Sequence, residues 1–150
     1  MQIKGTLIQT APDTFTTLAV ETGLTADGKA GWQIRKLRVF WSLGYTVAAV
    51  DHMASCVLAT LITSTSLDSH DEICRVSWGQ QNTGGVAVTV NLEPIKDHTL
   101  SEPRLTVQPI IYIHANTIST GISNRFYFEI DYDLVKLSDL EVLRLLAGGA

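Results

Sequence analysis

The clearest pattern along the chain is an alternation of apolar and polar residues from Arg125 to Leu137. Its apolar parity consists of Phe126, Phe128, Ile130, Tyr132 and Leu134. The other parity carries Tyr127 and three acidic residues, Glu129, Asp131 and Asp133. Alternation with a period of two is typical of a β-strand with one buried face, so this segment predicts a long strand. Residues 86–92 alternate in the same way and predict another half-buried strand.

Further β-rich segments lie at residues 2–9, 14–20, 32–43, 54–63, 73–78 and 104–114. The apolar parity switches midway through residues 32–43, which predicts a bulge near Lys36. Pro109 has no amide hydrogen to donate to a sheet, so it predicts a bulge or an edge position within 104–114. Residues 54–63 are apolar on both parities, which favours a strand covered on both faces, although a short helix is also compatible.

Polar segments separate these strands at residues 26–31, 64–71, 80–85, 93–103 and 116–124. Asp27-Gly28 is the strongest turn signal among them, because this pair suits a two-residue hairpin. About eight closely spaced strands without helical segments between them predict an all-β, antiparallel sandwich or barrel.

The periodicity changes after Leu137, where Ser138 and Glu141 have the spacing of a capping box. Gly148 suits the position just after a helix, so a helix is predicted over residues 138–147. Leu137 and Val142 are placed to form a hydrophobic staple across its start. A helix this short is marginal alone and has to pack on its own sandwich or on a neighbouring subunit. Its apolar residues are the candidate subunit interface: Leu140, Val142, Leu143, Leu145 and Leu146.

The length of 150 residues predicts one domain, with strands over 1–137 and the helix over 138–147. Charged residues make up 17%, below the roughly 25% typical of soluble domains. This favours a chain that hides surface against partners, and it is also compatible with a polar surface rich in Ser and Thr. The net charge of −4 and the dispersed Lys and Arg residues argue against direct nucleic-acid binding. Neither a secretory signal nor a membrane-spanning stretch is recognisable.

The candidate chemistry is sparse, and neither an enzyme nor a cofactor or metal site is predicted. The four histidines are dispersed, and the ligand-type side chains at residues 68–72 favour a solvated turn over a metal site. Residues 79–85 are rich in glycine but lack the Lys-Ser/Thr ending of a phosphate loop. Cys56 and Cys74 are expected to be buried thiols, with one disulfide left open if their strands lie side by side.

The acidic residues Glu129, Asp131 and Asp133 would repel one another unless water, a cation or basic side chains met them. Arg35 and Arg38 have opposite parity, so both are not expected on one face. The pattern favours a solvated face, with an intersubunit row of ion pairs as the alternative.

The order of elements resembles that of single jelly-roll viral capsid proteins. The resemblance is carried by residues 108–114 (Gln-Pro-Ile-Ile-Tyr-Ile-His), the polar loop to Asn124, and the strand over 125–136 that leads into the helix. It implies an antiparallel, eight-stranded jelly-roll-like sandwich with a short C-terminal helix. It also implies a structural subunit of an icosahedral virion, made in the host cytoplasm, whose partners are copies of itself and other capsid proteins.

One departure narrows this expectation, because many small capsid proteins of single-stranded genomes have a basic N-terminal arm that this chain lacks. The resemblance then implies a shell in which other proteins hold the genome, and it is compatible with a position close to an internal membrane. The alternative hypotheses are a β-sandwich module that binds carbohydrate or protein, and an unrecognised enzyme.

Overall fold

The structure, a computed structural model, describes residues 1–25, 29–42, 51–60, 72–80 and 95–147. They form two four-stranded antiparallel sheets and one C-terminal helix. The strands are β1 (Gln2–Ile8), β2 (Thr16–Glu21), β3 (Ala30–Ser42), β4 (His52–Ala59), β5 (Glu72–Gln80), β6 (Ile95–Thr106), β7 (Ile110–Ile118) and β8 (Arg125–Lys136). The helix, α1, spans Asp139–Leu146.

The order of strands is β1-β8-β3-β6 in one sheet and β2-β7-β4-β5 in the other. The first strand pairs with the last, the second with the seventh, the third with the sixth, and the fourth with the fifth. A double-sheet sandwich of eight strands nested in this way is a jelly roll. The predicted all-β fold is therefore confirmed.

The core lies between the sheets and is built by the inward parity of each strand. In β8 the predicted apolar parity is confirmed from Phe126 to Tyr132, all of which are buried. It is wrong for Leu134, which is 56% exposed near the end of the strand. Gly5 lies directly opposite Phe128 on the neighbouring β1. A Cβ atom at Gly5 would lie 2.4 Å from Cζ of Phe128, so the absence of a side chain there makes room for the ring.

The bulge predicted near Lys36 is confirmed by a register shift in β3 between Ile34 and Lys36. Ile34 and Leu37 are both fully buried, while Arg35 is exposed and Lys36 half-buried between them. The bulge thus turns two consecutive side chains away from the core and keeps both flanking apolar residues inside.

Two predictions about the middle of the chain are wrong. Residues 93–103 were expected as a polar connection, but residues 95–103 belong to the edge strand β6. Pro109 occupies neither a bulge nor a strand edge; it lies in the short connection between β6 and β7. Pro103, and not Pro109, lies at an irregularity of a strand. Ile34 of β3 pairs with Arg104 and Lys36 pairs with Thr99, so Pro103 falls in the stretch of β6 that the register skips. An edge strand with a register shift tolerates a missing amide donor.

The apolar segment 54–63 forms a strand and not a helix over its described part, and Cys56, Val57, Leu58 and Ala59 are all buried as expected for cover on both faces. The predicted strand at 86–92 lies outside the described residues. So do most of the turns predicted at 26–31, 64–71 and 80–85, together with Gly148.

Candidate interaction surfaces

The C-terminal helix is fixed at its first turn by the predicted capping box, which is confirmed. The Ser138 hydroxyl accepts a hydrogen bond from the Glu141 amide at 3.4 Å, and the Glu141 carboxylate accepts one from the Ser138 amide at 2.8 Å. The Leu137 amide donates to the carbonyl of Lys29 at 2.7 Å. The Lys29 ammonium group pairs with the Asp139 carboxylate at 3.0 Å. These contacts hold the start of the helix against the residues that precede β3.

The five apolar helix residues predicted as a subunit interface are divided between two environments. Val142 is only 7% exposed and Leu145 is half-buried. Leu140, Leu143 and Leu146 are 59%, 63% and 43% exposed, and their spacing of three places them on one side of the helix. We call these three residues the leucine face. The helix therefore packs on its own domain with one side and leaves the leucine face open.

The outer face of the β1-β8-β3-β6 sheet, called here the charged face, carries a row of charges across all four strands. The pairing register places Lys4, Glu129, Arg38 and Asp97 side by side in this order. Lys4 Nζ lies 2.9 Å from Glu129 Oε1, and Arg38 Nε lies 2.8 Å from Asp97 Oδ1. Arg38 also reaches Glu129 at 3.6 Å. The sign of the charge thus alternates from each strand to the next.

In the next row toward the bulge only β8 and β3 carry charge, because Gln2 and Thr99 occupy the β1 and β6 positions. Lys36 lies opposite Asp131 in the register and pairs with Asp97 at 2.8 Å, and Arg35 pairs with Asp133 at 3.2 Å. Hydrogen bonds from Arg38 and Lys36 hold the pKa of the Asp97 carboxyl below its usual range. Asp131 Oδ1 is buried without a hydrogen-bond partner.

The expectation of a solvated acidic face is corrected by these contacts, because basic side chains of β1 and β3 meet Glu129 and Asp133. Arg35 and Arg38 do share one face, although their parity differs. The bulge at Arg35 inserts one residue and reverses the parity after it. The predicted bulge was therefore the sequence signal that Arg35 and Arg38 share a face, and strict alternation along β3 was the wrong assumption.

A less polar row lies beside the charges on the same face. Thr6, Tyr127, Phe40 and Ile95 are neighbours across the four strands. Tyr127 and Ile95 are exposed, and Phe40 is half-buried. A shallow depression of about 360 Å³ lies over β1, β8 and the end of β3, with Lys4, Thr6 and Tyr127 among its lining residues.

The outer face of the other sheet differs in its chemistry. Met53 and Ile118 lie directly opposite each other and are both exposed. His114 is buried on this face, where Thr17 Oγ1 lies 2.9 Å from its Nδ1 and the Phe15 ring stacks on it at 5.2 Å.

One end of the sandwich is closed by a polar cluster around Asp13, which the sequence did not reveal. The Asp13 carboxylate accepts hydrogen bonds from the Thr117 hydroxyl, the Thr120 amide and hydroxyl, and the Gly121 amide, at 2.7–2.9 Å. Partial burial raises the pKa of this carboxyl, but these hydrogen bonds from Gly121, Thr120 and Thr117 outweigh it and lower the pKa to about 2. Asp13 has a φ of 52°, a conformation that Asp tolerates better than most residues. The cluster joins the β1–β2 loop to the β7–β8 loop.

Buried amides extend this cluster into the core. Gln9 donates to Thr117 Oγ1 at 3.0 Å and accepts from the Asn124 amide at 2.9 Å. The Asn124 side chain in turn accepts from the indole nitrogen of Trp41 at 3.2 Å. The buried side chains of Gln9, Thr117, Asn124 and Trp41 satisfy one another's hydrogen bonds, which indicates that they have a structural role.

Cys56 and Cys74 are buried free thiols on adjacent strands, as the sequence predicted, and they form no disulfide. Burial raises the pKa of Cys74 to about 12 and that of Cys56 further still. Such thiols are poor nucleophiles at neutral pH.

In the described part of the chain, no group of three or more His, Cys, Asp or Glu side chains is arranged to hold a metal ion. His52 is buried, with Nδ1 2.8 Å from the carbonyl of Ser119. The ligand-type side chains at 68–71 and the glycine-rich residues 81–85 lie outside the described residues. None of the described helices is long and apolar enough to cross a membrane.

A comparison with protein-family models finds no family that matches the chain, and a comparison with curated proteins finds no relative of significant similarity. The interaction surfaces therefore have to be interpreted from their own chemistry.

Proposed function

We propose that the chain is a structural subunit of a viral capsid of single jelly-roll type, which assembles with copies of itself and with other shell proteins. The jelly-roll order of the eight strands supports the proposal, because this fold recurs in capsid and lectin domains. The proposal gives the chain no catalytic role and no cofactor.

The observation that carries the proposal is the leucine face. Three leucines are at least 43% exposed on a helix whose start is fixed by a capping box and by the hydrogen bond from the Leu137 amide to Lys29. Exposed leucines on a fixed helix lose little conformational entropy when they are covered, so they favour association with a neighbouring subunit.

The pairing of charges on the charged face favours a subunit that does not bind the genome directly. Four of the basic residues there, Lys4, Arg35, Lys36 and Arg38, each pair with a carboxylate of the same chain. A fifth, Arg125, donates a hydrogen bond to the Tyr127 hydroxyl. Phosphate binding requires a clear excess of basic groups. These five basic residues are accompanied by four carboxylates, those of Glu129, Asp131, Asp133 and Asp97. We therefore place direct genome contacts on other proteins of the virion.

The test is assembly of the purified full chain, followed by light scattering after size exclusion and by electron microscopy. Closed particles or large oligomers are expected for the wild type. The double variant Leu140→Glu/Leu143→Glu should lose them, because each added carboxylate would have to be buried in the subunit contact.

The matched control is Leu140→Met/Leu143→Met, which keeps both positions apolar and should still assemble. Thermal unfolding should be similar in all three proteins, since both leucines are exposed in the single chain. A wild type that stays monomeric at high concentration, alone and with its co-expressed shell partners, would contradict the capsid proposal.

A carbohydrate-binding module is the second candidate, favoured by the exposed Tyr127 ring beside Phe40 and the depression of about 360 Å³. Sugars stack on such rings but also need free polar groups, and the neighbouring Lys4 and Glu129 are already paired with each other. A glycan array tests this candidate. Binding that is lost in Tyr127→Ala but kept in Leu140→Glu/Leu143→Glu would favour the module over the capsid subunit.

A further inference from the structure

On the charged face, the sign of the charge depends on the strand that carries it, in addition to the pairing of neighbouring side chains. Between the apolar row and the β3 bulge, the outward charge is positive on β1, negative on β8, positive on β3 and negative on β6. The midline of the sheet runs between β8 and β3. In the rows of Glu129 and Asp131, every charge on one side of this line has an opposite charge at the same position along the strands on the other side.

A pattern that changes sign across its midline is complementary to itself. If a second copy is turned by a two-fold axis that lies in the interface and runs along the strands, β1 faces β6 of the second copy and β8 faces β3. This rotation leaves the position of each residue along the strand direction unchanged. Lys4 then faces Asp97 of the second copy, Glu129 faces Arg38, and Asp131 faces Lys36. The other in-plane axis, perpendicular to the strands, reverses this position and does not match the rows.

We propose that the charged face is a two-fold interface between two copies of this chain. The same rotation places Tyr127 against Phe40 of the second copy. It also brings the exposed Ile95 of the second copy over Thr6, which lines the depression of about 360 Å³. Both the apolar row and the charged rows are therefore matched by one operation, as an isologous contact requires.

The packing geometry agrees with this arrangement. Two sheets that pack face to face keep their strands within about 30° of each other, and rotation about an axis along the strands preserves that alignment. The face is four strands wide, with strands about 4.8 Å apart, and β8 has five outward positions along it, from Arg125 to Asp133. A face of this width and length covers about 600 Å² per copy. A pair would bury about 1,200 Å², which is at the lower end of specific interfaces and typical of a weak dimer.

Most charges of this face are already paired within the chain, namely those of Lys4, Lys36, Arg38, Glu129 and Asp97. Arg125, at the end of the face, donates to the Tyr127 hydroxyl. An isolated charge would oppose burial strongly, whereas a paired one does so much less. Because the contact depends on charge, the dimer should weaken with salt.

The decisive test uses Lys4 and Asp97, which lie on the two edge strands of the sheet, about 14 Å apart in one chain. They form no direct pair within the chain, but Glu129 and Arg38 link them in one row of ion pairs, so a coupling within the chain has to be measured separately. Across the two-fold axis, however, they face each other. A double-mutant cycle of Lys4→Glu and Asp97→Lys on the dimer Kd, compared with the same cycle on the unfolding of one chain, isolates the contact between copies.

Sedimentation equilibrium in about 50 mM salt is expected to give a weak dimer whose Kd rises about tenfold in 500 mM salt. Each single variant should weaken the dimer about tenfold or more, because like charges then face each other. The double variant should return to within about threefold of the wild type, and a mixture of the two single variants should form heterodimers. Unfolding of the monomer by urea measures the coupling that runs through Glu129 and Arg38 within one chain, which should be well below the coupling in the dimer Kd.

The experiment is carried out in the Leu140→Glu/Leu143→Glu background, so that assembly through the leucine face does not interfere. A salt-sensitive dimer there would support the two-fold interface even if no shell forms, and shells without such a dimer would support only the capsid proposal. A protein that is monomeric at 1 mM in low salt, or a double variant with a Kd about a hundredfold weaker than the wild type, would overturn the inference.

Discussion

The Asp13 carboxylate accepts hydrogen bonds from both the main-chain amide and the hydroxyl of Thr120, at 2.9 and 2.7 Å. These two residues are 107 positions apart in the chain, so the contact closes one end of the sandwich. Its strength depends on the negative charge of Asp13, because an ionised acceptor makes stronger hydrogen bonds than a neutral one.

Asp13→Asn is expected to lower the free energy of unfolding at pH 7 by about 1–2 kcal/mol, allowing for the partly exposed carboxylate. The pKa of Asp13 is about 2 in the folded chain and near 3.8 in the unfolded chain, so its contribution is complete above about pH 4. It is lost as the pH falls from about 4 to 2, and the variant should approach the wild type there. Urea unfolding at pH 7, 5 and 3 measures this difference.

The control for this prediction is Asp139→Asn, which removes an exposed carboxylate that pairs with Lys29. Exposed ion pairs contribute little, so its effect should stay within about 0.5 kcal/mol. An Asp13→Asn effect that is equal at pH 7 and pH 3 would mean that shape, and not charge, holds the two loops together.

Gly5→Ala is expected to lower stability by about 2 kcal/mol or more, because its Cβ would meet the buried ring of Phe128 at 2.4 Å. Gly79→Ala is the matched control, since Gly79 also lies in a strand but a Cβ there meets nothing within 4 Å. It should be neutral or slightly stabilising. Equal thermal unfolding of the two variants would show that the Phe128 ring can move aside at little cost.

The features that the sequence predicted are those set by neighbouring residues. The alternation along β8 and the pairing of Ser138 with Glu141 are local, and both are present. The bulge near Lys36 was visible as a change of parity, but its consequence for Arg35 required the register of β3 against β8. The row of Lys4, Glu129, Arg38 and Asp97 joins strands from both ends and the middle of the chain, so no local pattern reveals it.

The two prolines show the same limit. Pro103 and Pro109 both lack an amide donor, and only the partner strand decides which of them lies inside a strand. The helix is a further example, because its five apolar residues were recognisable but its rotation was not. The hydrogen bond from the Leu137 amide to the Lys29 carbonyl ties the start of the helix to the domain, with Val142 buried and Leu140 and Leu143 outside.

Ser138→Ala is expected to destabilise the helix locally by about 1 kcal/mol, because the Glu141 amide loses its acceptor. Hydrogen exchange of the amides in residues 139–147 should become about five times faster, since the first turn opens more often. Glu141→Gln is the control, because a neutral glutamine can still reach the Ser138 amide in a capping box. Unchanged exchange in Ser138→Ala would indicate that Val142 and the Lys29–Asp139 pair hold the helix without the cap.

The thiols of Cys56 and Cys74 are expected to resist alkylation by iodoacetamide in the folded chain at pH 8 and to react fully in urea. Burial raises the pKa of both, so almost no thiolate is present, and the side chains are out of reach of the reagent. Intact-mass spectrometry counts the added groups in each state. Cys74→Ala in the folded protein should also show no labelling, which tests whether Cys56 stays protected without its neighbour. Rapid labelling of either thiol in the native wild type would show that the β4–β5 pair opens frequently, in conflict with its place in the core.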